Sequence, residues 1–382
     1  MLENFLNAKP LFYDEIDYTR MPRVYNRIKK HFTPAKIIHI VGTNGKGTSG
    51  RFLATALYNS GFQTGHYTSP HILHFNERIW HNGEDVCMDR LESTHGKLLE
   101  ILTEDEVESL SYFEYTTLLA MLYFSNKCDY IVLEAGLGGE HDATAVFSND
   151  LTLVTPIDKD HEAFLGRDIS SIAMTKLRAI QKNAILARQH HLEVYNIARS
   201  LEMQKDIKVF NMDELLNSDD KKKIEEIAEN ENLVSYLKDN LSLSIAALHY
   251  FNIEYSTESF QDAKLFGRLT RLSKNIIIDV GHNPLAAQSI QKSLKGKKYT
   301  LIYNSYKDKE YEKILEILKP IVKRVLLIDI ENARIEESKH LQESLDKLKI
   351  QWDRFERVEE DEFYLVFGSF SVVEAFLEVY NG

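Results

Sequence analysis

The residues best suited to chemistry lie between Gly42 and Thr48. The stretch Gly42-Thr43-Asn44-Gly45-Lys46-Gly47-Thr48 follows an Ile-rich apolar run, Ile37 to Val41, and precedes Arg51–Tyr58, whose apolar side chains recur at helical spacing up to Gly61. Strand, glycine loop and helix together hold a phosphate: backbone N–H groups turn inward, the helix start carries partial positive charge, and a lysine neutralises the terminal phosphates. Lys46 is that lysine, and Thr48 is spaced to put its hydroxyl on a magnesium ion. The usual loop ends in Gly-Lys followed directly by Ser or Thr, whereas here Gly47 intervenes. The other reading is a glycine-rich turn with a surface lysine, and the flanking strand and helix weigh against it.

Three further polar residues fall at expected strand ends. Ser69 precedes Pro70 after Gly65–Thr68, and a residue before proline is held out of the helical region. Glu134 closes the apolar run from Tyr130 and is followed by Ala135-Gly136-Leu137-Gly138-Gly139. His161 ends Asp158-Lys159-Asp160-His161, the exit of the strand around Leu151–Thr155. Each has an ordinary alternative: a Ser-Pro turn, a solvated glutamate, a structural histidine. Together, Ser, Glu and His delivered to one sheet rim make a metal-and-phosphate constellation, with the carboxylate where a magnesium-linked acid belongs.

The elements that would carry these residues form two series. In the first, strands near 37–41, 129–134, 151–155 and 183–187 are separated by helical stretches. Of these, 88–108 reads as a solvated helix, 111–124 as an apolar one, and 168–179 as a helix holding Lys176. Glu114, in the first turn of the apolar helix, either complements the helix dipole or contacts substrate. Residues 190–240 read as helical and charged, and 240–248 as a packed helix. The second series has strands at 275–280, 299–303, 324–329 and 363–367, alternating with helices near 285–294, 309–318, 337–347 and 369–380. The expected fold class is α/β: an N-terminal domain over 1–262 with a mostly parallel sheet, a linker at 263–269 and a smaller Rossmann-like α/β domain over 270–382. Asp279-Val280-Gly281-His282-Asn283-Pro284 closes the first strand of that second domain. It reads equally as a ligand-facing polar cluster or as an Asn-Pro turn starting a helix.

The length of 382 residues itself favours two cores. A net charge of −12 argues against nucleic acid or an anionic membrane as the main partner, though not against a small anionic substrate. Cys87 and Cys128 supply neither a disulfide framework nor a metal set, which suits a reduced, cytoplasmic setting. The first twenty residues contain Glu3, Asp14, Glu15 and Asp17 and no apolar signal region, and no apolar run is long enough to span a bilayer. Nothing demands more than a monomer.

As a set, these motifs resemble a family. The extra-glycine loop is similar to that of the Mur-type ATP-dependent ligases. The rest occurs in the order seen in the folylpolyglutamate synthase and dihydrofolate synthase branch. That order is Ser69-Pro70-His71 with Glu77-Arg78, Phe113-Glu114, Glu134 to Gly139 with Asp142-Ala143-Thr144, Asp160-His161, Gly267-Arg268, Asp279 to Pro284, Lys307-Asp308-Lys309 and Phe367-Gly368-Ser369-Phe370. The resemblance implies a Mur-ligase-like N-terminal domain that binds ATP and magnesium, one ion or two. Thr43, Asn44, Gly45, Lys46 and Gly47 would wrap the phosphates, and Thr48, Ser69, Glu134 and His161 would hold the metal. Lys46, His161 and Lys176 would serve catalysis, with Lys176 aligned to a lysine that the family carries as a carbamate. Ser111, Phe113, Glu114, His141, Asp142 and Ala143 would line a pterin pocket. Asn240, Arg268 and Asp279 would reach ATP from the far side, His282 is a further nucleotide-site candidate, and closure of the second domain would exclude water. The chain departs from the family around the modified lysine, reading Thr175-Lys176-Leu177-Arg178, and at His141 and Ala145.

The activity implied is ATP-dependent joining of L-glutamate to dihydropteroate and to folates through an acyl phosphate. Two alternatives stand beside it: a related amino-acid ligase for another carboxylate, and a P-loop ATPase that makes no covalent product.

Overall fold

The computed structural model describes residues 1–10, 17–160, 162–166 and 168–381. Two compact units emerge: Met1–Leu233 with Leu237–Ala263, and Val234–Tyr236 with Lys264–Gly382. Among the described residues, no helix is long and apolar enough to cross a membrane.

The first unit is built on an eight-stranded sheet. Its strands are β1 (Lys36–Val41), β2 (Thr64–Tyr67), β3 (Ile79–His81), β4 (Glu84–Asp85), β5 (Tyr130–Glu134), β6 (Leu151–Val154), β7 (Asn183–Leu186) and β8 (Lys208–Asn211), in the spatial order β4-β3-β2-β5-β1-β6-β7-β8. The pairs from β2 to β8 are parallel, and β3 and β4 form an antiparallel edge. β1 is buried on both faces, which its apolar run requires. Because β5 lies on one side of β1 and β6 on the other, the carboxyl end of β1 is a topological switch point, where such sheets bind ligands.

Helices cover both faces. The Tyr112–Phe124 helix is apolar nearly all round and buried accordingly, in a core shared with Ile37, Tyr67 and Leu133. A second core joins Val41, Val154 and Leu186 to the Ile169–Leu177 and Leu192–Gln204 helices. The Lys46–Asn59 helix is bonded to the Ser235–Tyr250 helix, where Ser244 Oγ donates to Ser49 O at 2.8 Å.

The second unit holds a six-stranded sheet of β9 (Thr270–Arg271), β10 (Ile276–Asp279), β11 (Tyr299–Tyr303), β12 (Val322–Leu327), β13 (Trp352–Arg354) and β14 (Tyr364–Phe367). The order is β13-β12-β11-β14-β10-β9, parallel except for β9. Its core gathers Leu301, Val325, Leu365 and Phe367 under the flanking helices.

Two expectations differ from the structure. The helix read over 88–108 is broken: Met88–Ile101 ends at extended Leu102, and Glu104–Ser109 starts anew. Thr103 is the reason, because its hydroxyl accepts from Glu106 N while the Glu106 carboxylate accepts from Thr103 N. The charged stretch 190–240 is not all helical, since β8 lies inside it. An edge strand with only half-buried side chains lacks the apolar alternation that marks a strand in sequence.

Candidate active site

Two glycines shape the loop after β1. Gly42 has φ +141°, and a Cβ there would fall 1.9 Å from Thr155 Oγ1. Gly45 has φ +87° at the start of the Lys46–Asn59 helix, and a Cβ would fall 2.4 Å from Asn240 Oδ1. The loop therefore runs between the β6 exit and Asn240. Thr43 N and Asn44 N donate to Pro156 O at 3.0 and 3.4 Å. The Thr43 hydroxyl donates to Asp158 O at 2.9 Å and accepts from Asp158 N at 3.0 Å. The amides left for an anion are those of Gly45 to Thr48, which a helix start leaves unmatched within the helix. Lys46 Nζ stays over the loop, 3.4 and 3.3 Å from Gly42 O and Thr43 O and 4.0 Å from Glu134 Oε1.

β2, β5 and β1 are neighbours, so their carboxyl ends form one rim. Glu134 is buried there, accepting from the Thr68 hydroxyl and, at 3.2 Å, from Ser69 N. Thr48 Oγ1 is buried and has no hydrogen-bond partner among the described residues. One carboxylate and the hydroxyls of Thr48 and Ser69 are hard oxygen donors. They suit a magnesium ion that keeps waters and substrate phosphates, not an all-protein cage. Among the described residues no group of three or more His, Cys, Asp or Glu gathers to hold a metal. His161 lies outside the described residues. Lys176 reaches the loop from the Ile169–Leu177 helix, where its Nζ donates to Gly42 O at 2.8 Å. Burial and the Lys46 charge pull its pKa down to about 7, opposed by Asp160 and Asp142.

A second cluster adjoins this rim. Phe113, only partly buried, packs on the backbone after Glu134: a Cβ at Gly136 would meet its ring at 2.6 Å. The next amide, Leu137 N, donates to Asp142 Oδ2 at 2.8 Å, while Asp142 Oδ1 accepts from Thr144 N at 3.0 Å and Thr144 Oγ1 at 2.6 Å. Burial raises the pKa of Asp142, opposed first by its hydrogen bonds from Thr144 and Leu137 and last by the Lys46 charge. Ala143 is buried in the turn that Asp142 caps. Ser111 and Glu114 form a capping box: Ser111 Oγ accepts from Glu114 N at 3.2 Å, and Glu114 Oε2 accepts from Ser111 N at 2.8 Å. Arg20 Nε donates to both Glu114 oxygens at 3.2 and 3.0 Å. His141 is largely exposed, with its ring 4.5 Å from that of Tyr18.

Asn240 belongs to the first unit; Arg268, Asp279 and His282 belong to the second. Asp279 is buried at the end of β10 and accepts from Leu269 N at 2.9 Å, Gly281 N at 2.8 Å and Tyr236 OH at 3.0 Å. Arg268 sits 5.3 Å over the Phe370 ring. His282 Nδ1 donates to Val280 O at 3.2 Å. Asn283 caps the Pro284–Ser293 helix, its Oδ1 accepting from Ala286 N at 2.9 Å, so the Asn-Pro helix start is present beside the polar cluster.

Several partners in these clusters were not singled out from sequence: Thr68 on Glu134, Asp158 on Thr43, Arg20 on Glu114 and Tyr236 on Asp279. Their signals are weak, because each acts across the fold. His39 is different: a lone histidine inside an apolar strand is visible in the sequence.

No family model matches the chain. The dihydrofolate synthase/folylpolyglutamate synthase of Buchnera aphidicola subsp. Schizaphis graminum is 31% identical over 88% of this chain and 86% of its own length. A crystal structure of Helicobacter pylori folylpolyglutamate synthetase is 38% identical, with a TM-score of 0.81 over 100% of this chain and 98% of that one. Escherichia coli FolC in complex with DHPP and ADP is 25% identical, with a TM-score of 0.82 over 99% and 96%. On this identity and coverage, the chain belongs to the dihydrofolate synthase/folylpolyglutamate synthase family.

Proposed function

We propose that the chain is an ATP-dependent ligase that adds L-glutamate to dihydropteroate and to folates. The observation that carries the reading is the joining of two clusters. The loop lysine, Lys46, lies 4.0 Å from Glu134, and the Glu134–Leu137 segment runs directly into the Phe113–Asp142 cluster. An aromatic substrate held against Phe113 would extend its carboxylate toward the phosphate loop. Ser111, Glu114, Ala143 and His141 complete the proposed pterin side, with Ser111 and Glu114 shaping the helix start.

A carboxylate forms no amide unaided, because its oxygen is a poor leaving group. In the proposed reaction a substrate carboxylate oxygen attacks the γ-phosphorus of ATP, the bond to the ADP oxygen breaks, and an acyl phosphate results. The glutamate amine then attacks the acyl carbon, phosphate leaves and the amine proton is lost. Lys46 and the Gly45–Thr48 amides stabilise charge on the transferred phosphoryl group. Thr48, Ser69, Glu134 and His161 would hold magnesium, one ion or two, and the metal when bound neutralises phosphate charge. Thr43 and Asn44 brace the loop, and Asn240 bounds it at Gly45. The roles of Arg268, Asp279 and His282 toward the nucleotide rest on the family resemblance.

Lys176 is proposed to carry a carbamate. A neutral amine is the form that adds carbon dioxide, and a pKa near 7 makes it available. Incorporation of ¹³C-bicarbonate into a carbamate signal that Lys176→Arg loses tests this. We place the enzyme in the cytoplasm as a monomer.

The deciding experiment is ADP release with ATP, magnesium and L-glutamate, first with dihydropteroate and then with tetrahydrofolate, products being weighed by mass spectrometry. A glutamate-sized gain on both supports the bifunctional reading, and on one it assigns the branch. ADP release with no gain on either favours another carboxylate substrate or the ATPase reading.

A further inference from the structure

His39 stands in the middle of β1 with Leu133 and Thr152 as its strand partners, and it is almost wholly buried. A buried imidazole in a central strand costs desolvation unless it is bonded. Its Nε2 lies 2.8 Å from Thr144 Oγ1, and its Nδ1 has no partner among the described residues. Thr144 in turn lies against Asp142, 2.6 Å from hydroxyl to Oδ1.

The protons along this line can be assigned. A hydroxyl has one proton, and Thr144 gives it to Asp142 Oδ1, which as a carboxylate only accepts. Thr144 Oγ1 must therefore accept from His39, so the imidazole carries its proton on Nε2 and leaves Nδ1 bare. Burial lowers the His39 pKa to about 4, so the ring stays neutral and the tautomer is fixed by this bond. Among the described residues, Oδ1 accepts two bonds, from Thr144 N and Oγ1, whereas Oδ2 accepts only from Leu137 N. The unfilled capacity of the carboxylate thus belongs to Oδ2, on the side of the segment against which Phe113 packs.

We infer that His39 is a positioning residue for substrate recognition: through Thr144 it orients Asp142 so that Oδ2 offers a single acceptor to an N–H donor on the heteroaromatic ring of the substrate. Neither His39 nor Thr144 touches substrate. The inference rests on the folate reading, because it takes the Phe113–Asp142 cluster as the ring pocket. It goes beyond that reading by making specificity depend on a residue of the central strand.

The test is a double-mutant cycle. His39→Leu removes the donor, and Thr144→Val removes the hydroxyl at nearly constant shape. Each should raise KM for dihydropteroate roughly tenfold, the size of one lost hydrogen bond to a charged group, while KM for ATP changes less than about twofold. The double variant should be no worse than either single one, because both break the same line. Thr144→Ser, and His39→Gln with its amide donor, should recover most of the loss. If His39→Leu does not fold, the Thr144→Val and Thr144→Ser pair decides. Unchanged KM for dihydropteroate, multiplicative losses in the double variant, or an equal rise in KM for ATP would each overturn the relay. Wild-type ADP release that ignores dihydropteroate and folate would overturn the folate reading and the relay with it. Wild-type dependence with indifferent variants would overturn the relay alone.

Discussion

Lys176 Nζ donates to the carbonyl of Gly42 across 2.8 Å, so a helix more than a hundred residues downstream is bonded to the first glycine of the phosphate loop. The bond is buried, and the amine gives up much of its basicity there, its pKa falling to about 7. An unfolded lysine holds its proton to about pH 10.4. Between these values the unfolded chain binds a proton that the folded chain does not, so stability rises with pH across that window and is flat, for this group, below it.

Unfolding in urea at pH 7 and pH 9.5, in carbonate-free buffer, measures the effect. Wild type should gain on the order of 3 kcal/mol relative to Lys176→Met over this interval. Parallel pH dependence in the two proteins would remove Lys176 as its source.

Lys46→Ala should abolish turnover while leaving the fold intact. Among the described residues its amine touches only the Gly42 and Thr43 carbonyls at 3.3–3.4 Å and approaches Glu134 at 4.0 Å, so little folding energy is at stake. Its charge is needed where the phosphoryl group moves, and loss of such a group costs about 10²–10³ in kcat. ADP release and thermal melting together check this. Near-normal turnover in a folded variant would end the assignment.

Gly45→Ala should strain the loop in two separable ways. The positive φ costs an alanine about 1–2 kcal/mol, and its methyl would collide with Asn240 Oδ1 at 2.4 Å. Adding Asn240→Ala should recover the collision but not the dihedral cost. Melting of the two single variants and the double gives the coupling, and strictly additive losses would show that no such contact exists.

How much of this was legible in the sequence depended on range. The phosphate loop is a local pattern, and β1, Gly42 to Thr48 and the following helix lie where their residues put them. Parallel strands buried on both faces announce themselves as apolar runs, so β5, β6, β10, β11 and β14 were readable, whereas half-exposed β8 and two-residue β9 were not. What sequence could not give was pairing across the fold. Nothing local joins Thr43 to Asp158, Lys176 to Gly42 or Arg20 to Glu114, separations of 115, 134 and 94 residues. Even Thr103, five residues from the expected end of a helix, acted through a capping bond that a periodicity argument ignores.

Glu114 shows why that matters, since dipole and substrate readings were both open for it. Both its oxygens accept from Arg20 Nε, at 3.2 and 3.0 Å, and Oε2 also accepts from Ser111 N at 2.8 Å. The pair is well buried, with side chains 10% and 11% exposed. Removing one member of a buried pair strands the other charge and costs about 3–5 kcal/mol. Glu114→Gln isolates this term, because a glutamine at the third helical position still accepts from Ser111 N and keeps the capping box. The variant should melt well below wild type yet, at a temperature where it is folded, keep KM for dihydropteroate within about threefold, since the carboxylate is committed to Arg20 and the Ser111 amide. Arg20→Met in the same chain should restore part of the melting loss by removing the stranded charge. A Glu114→Gln protein with wild-type melting and a large rise in KM would instead make Glu114 a direct contact to substrate.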